Sequence, residues 1–158
     1  MRLPSPRFAT RVLAIAALLL GGCVSTPMRN TGSFVDRDVD IAGITHRYQV
    51  FVPASAAGGR RPPVIVFLHG SGERGNDGIK QTEVGIGPYI RAHLTDFPAI
   101  VVFPQAPDET EWGGNADLVF ATLDAATLEF HGDPDRTYLT GLSMGGYGTW
   151  ELAMRAPA

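Results

Sequence analysis

Gly141-Leu142-Ser143-Met144-Gly145 is a G-x-S-x-G pentapeptide. Alone it says little, since a chain of this length shows the pattern by chance roughly one time in twenty. Its neighbours raise its weight. Thr137–Thr140 reads as a short strand, and a helix is expected from Ser143 to Arg155. A serine on a sharp strand-to-helix turn is held in strained backbone geometry, and glycines two residues to either side relieve the crowding. Its hydroxyl would stand at the carboxyl end of the sheet, where open α/β sheets place their ligands. The N-terminus of the following helix favours negative charge that develops there. That is the setting of a nucleophilic serine in acyl transfer. The bland alternative is a serine in a glycine-rich helix start. Gly146 and Gly148 are expected to let that helix approach the sheet closely.

Acyl transfer also needs two or more donors for a tetrahedral oxyanion. One is the backbone N–H of Met144, directly after the serine. The other is expected from Phe67-Leu68-His69-Gly70-Ser71-Gly72, at the end of an apolar strand. Ser71 is the choice for that N–H, with Gly72 the alternative. His69 is a tempting base, but a His-Gly pair opening such a loop is expected to hold the loop's shape. His46 in a strand, His93 in a helix and His131 in a turn have structural readings too. Glu73 and Arg74 are expected to pair with each other rather than with substrate. No His and Cys cluster has metal-ligand spacing, so neither a metal nor a cofactor is expected.

The elements that must position these residues follow from periodicity. Phe34–Ile41 and Thr45–Val52 read as two strands joined at Ala42-Gly43, the second alternating at Tyr48, Val50 and Val52. Ala54–Arg61 reads as a turn region. Val64–Leu68 and Ala99–Phe103 are unbroken apolar runs, as in strands buried on both faces of a parallel sheet. A short helix is expected at Pro88–Leu94. A longer one is expected over Ala116–Phe130, with Val119, Phe120, Leu123, Ala126 and Phe130 at helical spacing and Asn115 as cap. Asp133-Pro134-Asp135 reads as a turn. The order β-β, then β-α-β-α-β-α, implies a mostly parallel α/β sheet with an antiparallel N-terminal hairpin.

The chain has 158 residues and a net charge of −3. No basic stripe follows residue 11, so nucleic acid is not an expected partner. The nineteen glycines cluster in the loops described above. Residues 1–22 read as a signal peptide: Arg2, Arg7 and Arg11, then the apolar Val12–Leu20, too short for a bilayer span. Leu20-Gly21-Gly22-Cys23 resembles the bacterial lipobox, which makes Cys23, the sole cysteine, the lipidation site and membrane anchor. An ordinary signal peptide is the alternative. Val24 after the cysteine points to the outer membrane, facing the periplasm. Cleavage removes three arginines and no acids, taking the charge from −3 to −6. Residues 23–33 read as a flexible tether and 34–158 as the folded part.

Several segments together carry a family resemblance. They are His69-Gly70-Ser71-Gly72-Glu73-Arg74-Gly75, Phe103-Pro104-Gln105-Ala106-Pro107, Trp112, and Asp135 through Trp150 with the Ser143 turn inside it. Over about residues 34 to 156 the chain resembles the predicted-peptidase branch of the α/β-hydrolases, kin to the dienelactone hydrolase, feruloyl esterase and phospholipase/carboxylesterase groups. The resemblance implies an α/β-hydrolase fold, with the serine after the fifth strand and a triad in the order Ser, Asp or Glu, His. It implies a place near the acyl pocket for Trp112, or else a loop-anchoring role. It implies a serine hydrolase of carboxylic esters, with a small-molecule or polysaccharide-linked ester as substrate. A serine peptidase or amidase, and a non-catalytic remnant, are the competing readings. A dehalogenase of this scaffold uses Asp where Ser143 stands. The chain departs from the pattern in one respect: no histidine follows Ser143, and the acid and the last three strands are also lacking. The expectation is therefore an N-terminal part, truncated after the elbow helix, with little activity and poor folding by itself, since a serine without a base is a weak nucleophile.

Overall fold

The computed structural model describes residues 31–59 and 61–155. The expected signal peptide, the expected lipidation site Cys23 and most of the expected tether lie outside the described residues. Among those residues no helix is long and apolar enough to cross a membrane.

Strands β1 (Ser33–Ile41) and β2 (Ile44–Val52) form an antiparallel hairpin in which Ile41 faces Ile44. Both turn residues have positive φ, 51° at Ala42 and 82° at Gly43. Two successive left-handed residues match the twist of the strands they join. Strands β3 (Pro63–Leu68), β4 (Ile100–Pro104) and β5 (Asp133–Gly141) complete a five-stranded sheet in the order β1-β2-β4-β3-β5. β3 runs parallel to both β4 and β5, and β2 runs antiparallel to β4.

Helix α1 (Ile86–Ala92) packs on one face, and α2 (Ala116–Glu129) and α3 (Met144–Arg155) on the other. Alternation along β4 divides the core accordingly. Ile100 and Val102 join Val64, Val66, Leu68, Val119 and Leu152, while Val101 and Phe103 join Phe51, Phe67 and Ile90. All five residues of β4 are buried, which is why the segment reads as an unbroken apolar run rather than an alternating one.

Three local expectations need correction. Asn115 makes no side-chain cap on α2; its amide donates instead to Thr110 Oγ1 at 2.9 Å and to Glu111 O at 2.7 Å. Helix α1 begins two residues before Pro88. Asp133-Pro134-Asp135 belongs to β5 rather than preceding it, because the pairing passes from Pro63↔Asp133 directly to Val64↔Thr137. The three unopposed residues, Pro134, Asp135 and Arg136, form a bulge, and the Asp133 carboxylate accepts the Asp135 N–H at 3.1 Å inside it.

Within the described residues β5 pairs with β3 alone. A groove of about 450 Å³ runs beside it, lined by Val66, Phe120, Leu123, Leu139 and Leu152. On α3, Tyr147, Trp150 and Met154 are each 75% exposed.

Candidate active site

The turn between β5 and α3 is held by contacts that only glycine permits. A Cβ on Gly141 would lie 2.2 Å from Gly145 O, and one on Gly145 only 1.9 Å from Leu68 O. The Leu142 N–H donates to that same Leu68 carbonyl at 3.0 Å. The turn is thereby pinned to the end of β3. Ser143, between these anchors, has φ 53°. A left-handed serine costs on the order of 1–3 kcal/mol and persists only where the surroundings impose it. The side chain is exposed. The Gly146 and Tyr147 amides take up the Ser143 carbonyl at 2.9 and 3.3 Å, so α3 begins directly beneath the serine. Among the described residues the Met144 N–H has no backbone acceptor.

The loop after β3 meets this turn. A Cβ on Gly70 would stand 3.7 Å from Ser143 Cβ. Ser71 follows, exposed, as the first residue of a 3-10 turn over Ser71–Glu73, and its N–H likewise has no backbone acceptor among the described residues. Ser143, Ser71 and Met144 are thus brought to one corner of the sheet, at the carboxyl ends of β3 and β5.

His69 is fully buried and both ring nitrogens are engaged. Nδ1 lies 2.6 Å from Gly70 O, and Nε2 lies 2.9 Å from the Ala106 amide nitrogen. An amide N–H can only donate, so Nε2 accepts and the proton sits on Nδ1. Burial pushes the imidazole pKa down, against the Gly70 hydrogen bond that raises it. The ring is a neutral strut between the loop and the end of β4, as the His-Gly reading expected.

Trp112 backs the same strut. Its indole N–H donates to His69 O at 3.0 Å, its ring meets the imidazole edge-on at 4.8 Å, and it is 1% exposed. These contacts tie the loop after β3 to the 3-10 turn over Trp112–Asn115. Gly148 makes room for it, since a Cβ there would lie 2.4 Å from Trp112 Cβ. The close approaches of α3 are therefore made at Gly145 and Gly148. Gly146 and Gly148 are the residues expected to bring the helix onto the sheet, but Gly148 meets Trp112, Gly146 has only an ordinary contact of 3.9 Å, and the approach to β3 is made at Gly145.

The expected pairing of Glu73 with Arg74 is not formed. The Arg74 guanidinium donates to Thr110 O and to the Glu111 carboxylate, both at 2.6 Å. Gln105 ties the loop a second time. That side chain is 1% exposed; its Oε1 accepts the Gly78 N–H at 2.8 Å and its Nε2 donates to Glu73 O at 2.9 Å. Asp77 ties down the far end of the loop by accepting the Ile79 and Lys80 amides at 2.8 and 3.1 Å. Desolvation works to raise the Asp77 pKa, but those amides, Lys80 and Gln105 outweigh it and hold the carboxyl at about 2. The only available signal for Gln105 was its place in Phe103-Pro104-Gln105-Ala106-Pro107, directly after a buried strand.

None of the four histidines lies against Ser143 with a free nitrogen. His69 is committed as above. His93 gives Nδ1 to Tyr89 O at 2.7 Å and stacks on the Tyr89 ring. His46 is on β2, three places from β5 in the sheet, and His131 precedes β5 at the opposite end of that strand from Ser143. Among the described residues no group of three His, Cys, Asp or Glu side chains is placed to hold a metal.

No protein-family model matches the chain, and no curated protein matches it. Solved structures do. A thermostable esterase superposes with TM-score 0.65 at 29% identity over 78% of this chain and 38% of its own. A feruloyl esterase module from Clostridium thermocellum, complexed with sinapinate, gives 0.64 at 17% over 83% and 52%. An S-formylglutathione hydrolase from Agrobacterium tumefaciens gives 0.60 at 21% over 85% and 57%. The chain spans about two fifths to three fifths of the length of these structures. The sheet, its flanking helices and these likenesses make the fold that of the α/β-hydrolases.

Proposed function

We propose that this α/β-hydrolase-fold chain belongs to a serine hydrolase acting on carboxylic esters. The observation that carries the reading is Ser143 at φ 53° on a strand-to-helix turn, exposed, with the Ser71 loop packed against it. The similarity to a thermostable esterase at 29% identity supports it.

In this reading Ser143 Oγ attacks the ester carbonyl carbon. The N–H groups of Ser71 and Met144 receive the oxyanion; neither is spent on a backbone acceptor within the described residues. Removing one such donor from a hydrolase typically costs about 10²–10³ in rate. Collapse of the tetrahedral intermediate expels the alcohol and leaves the acyl group as an ester on Ser143, which water then hydrolyses. Both attacks need a base, and no described histidine is placed to serve. Oxyanion stabilisation and binding alone still leave about 10³–10⁴ over the uncatalysed rate when triad members are removed. The chain by itself is therefore proposed to acylate slowly and to deacylate more slowly still.

Labelling the full chain with a fluorophosphonate tests the nucleophile. One adduct on Ser143, lost in Ser143→Ala, is the expected result; an adduct elsewhere, or none on a folded chain, contradicts it. An ester and an anilide of one acyl group separate esterase from peptidase or amidase activity, with the ester expected to react. The Leu20–Cys23 lipobox supports a lipid-anchored envelope location. Mass spectrometry of the mature N-terminus after expression in a bacterium tests it, with diacylglycerol on Cys23 expected.

A further inference from the structure

Of the two acids at the start of the loop after β3, Glu73 and Asp77, only Glu73 has a carboxylate without a partner among the described residues. Arg74 turns to Thr110 and Glu111. Asp77 is occupied by Ile79, Lys80 and Gln105. Gln105 reaches Glu73 too, but at its main-chain carbonyl. The Glu73 carboxylate lies beside Gly70 instead. A Cβ placed on Gly70 would lie 3.0 Å from Glu73 Oε2 and 3.7 Å from Ser143 Cβ. Glu73 Oε2 and Ser143 Cβ border the same methyl-sized space, and Glu73 is partly buried there.

A charge placed there acts on whatever enters. It opposes the oxyanion that forms next to it, so it is no aid to acyl transfer as such. It opposes a second anionic group on the substrate in the same way, and it draws in a cation. We infer that Glu73 is a specificity-determining residue: its carboxylate favours esters with a cationic group beside the ester linkage and disfavours those with a carboxylate there. The inference rests on Ser143 being the nucleophile. Charges about 7 Å apart, between bulk-water and protein-surface screening, change an equilibrium by about threefold to fiftyfold. Salt weakens such an effect at an open site.

The test uses the full chain and three butyrate esters that differ only in the alcohol: choline, its neutral isostere 3,3-dimethylbutanol, and glycolate. Acylation of Ser143 is followed by peptide mass spectrometry at low salt. The wild type is expected to react in the order choline, neutral, glycolate. In Glu73→Gln, which keeps the side-chain shape, the choline-to-neutral ratio should fall and the glycolate-to-neutral ratio rise, each by threefold or more. Glu73→Asp should restore part of the preference. The same ratios in wild type and Glu73→Gln, both shown folded by thermal unfolding, overturn the role of Glu73 and leave the nucleophile standing. If no ester acylates the wild type, it is the nucleophile reading that fails. Glu73 is then judged by titrating the free alcohols against the Ser71, Gly72 and Ser143 amide resonances. Choline shifts that weaken at least threefold in Glu73→Gln support the charge preference, and equal shifts in the two proteins refute it.

Discussion

Replacing His69 with alanine separates a structural histidine from a catalytic one. The substitution removes the Nδ1–H bond to Gly70 O and the acceptor for the Ala106 N–H. Ala106 is fully buried, so its amide would be left without a partner, at a cost of about 1–3 kcal/mol. The edge-on contact with Trp112 disappears as well, worth about 0.5–1.5 kcal/mol. The imidazole volume becomes a cavity or collapses. The loss should total about 2–5 kcal/mol, a large part of the roughly 5–15 kcal/mol that holds a domain folded. For a domain of this size that lowers Tm by on the order of 8–20 °C. Equilibrium urea denaturation gives the loss directly, and Ser143 labelling by a fluorophosphonate, run below the new transition, gives the effect on the site. The strut account expects a marked fall in stability, with labelling reduced because the loop bearing Ser71 is loosened. A His69→Ala protein as stable as the wild type yet unable to label at all would refute the reasoning and make His69 the base.

Gly145→Ala should destabilise by more than about 3 kcal/mol, beyond ordinary overpacking, because its Cβ would sit 1.9 Å from a backbone oxygen of β3; a Tm within a few degrees of wild type contradicts the packing of the turn. Stability should also fall as pH drops below about 6.5, where the unfolded imidazole of His69 takes up a proton. Burial depresses the folded-state pKa, so that stability is present above the unfolded pKa and is lost as pH falls toward the folded one; His69→Gln should flatten this part of a urea-midpoint profile. Residues 24–158 expressed without the signal should self-associate through the outer side of β5 and the exposed Tyr147, Trp150 and Met154. A monomer on size exclusion with a sharp unfolding transition contradicts that expectation.

The elements were legible wherever burial wrote a pattern into the sequence. β4 is buried on both faces and reads as a solid apolar run, and the Ala42-Gly43 turn precedes the alternation at Tyr48, Val50 and Val52. The elbow was legible because its glycines stand where a Cβ would overlap a backbone oxygen. Interactions that join distant segments were not legible. Gln105 holds Gly78 and Glu73 across the loop, and Arg74 crosses to Glu111 instead of its chain neighbour; neither pairing has a spacing to betray it. His131 shows the same limit. It has φ 55° at the end of α2, where the Gly132 N–H closes back on Thr127 O at 2.9 Å. That is a Schellman closure with histidine in the position usually held by glycine. Asp133-Pro134-Asp135 has turn chemistry, and its bulge in β5 follows from the pairing with β3, which lies seventy residues away in sequence.

The central claim is that Ser143 is the acyl acceptor, and peptide mass spectrometry tests it most directly. The full chain is incubated with p-nitrophenyl butyrate, quenched in acid and digested. Because no described histidine is placed to activate water, the acyl-enzyme should accumulate rather than turn over. The account predicts a butyryl group on the peptide containing Ser143, absent in Ser143→Ala and accompanied by one equivalent of released nitrophenol. Butyrylation of other residues at the same rate in wild type and Ser143→Ala, with both proteins folded, would contradict it.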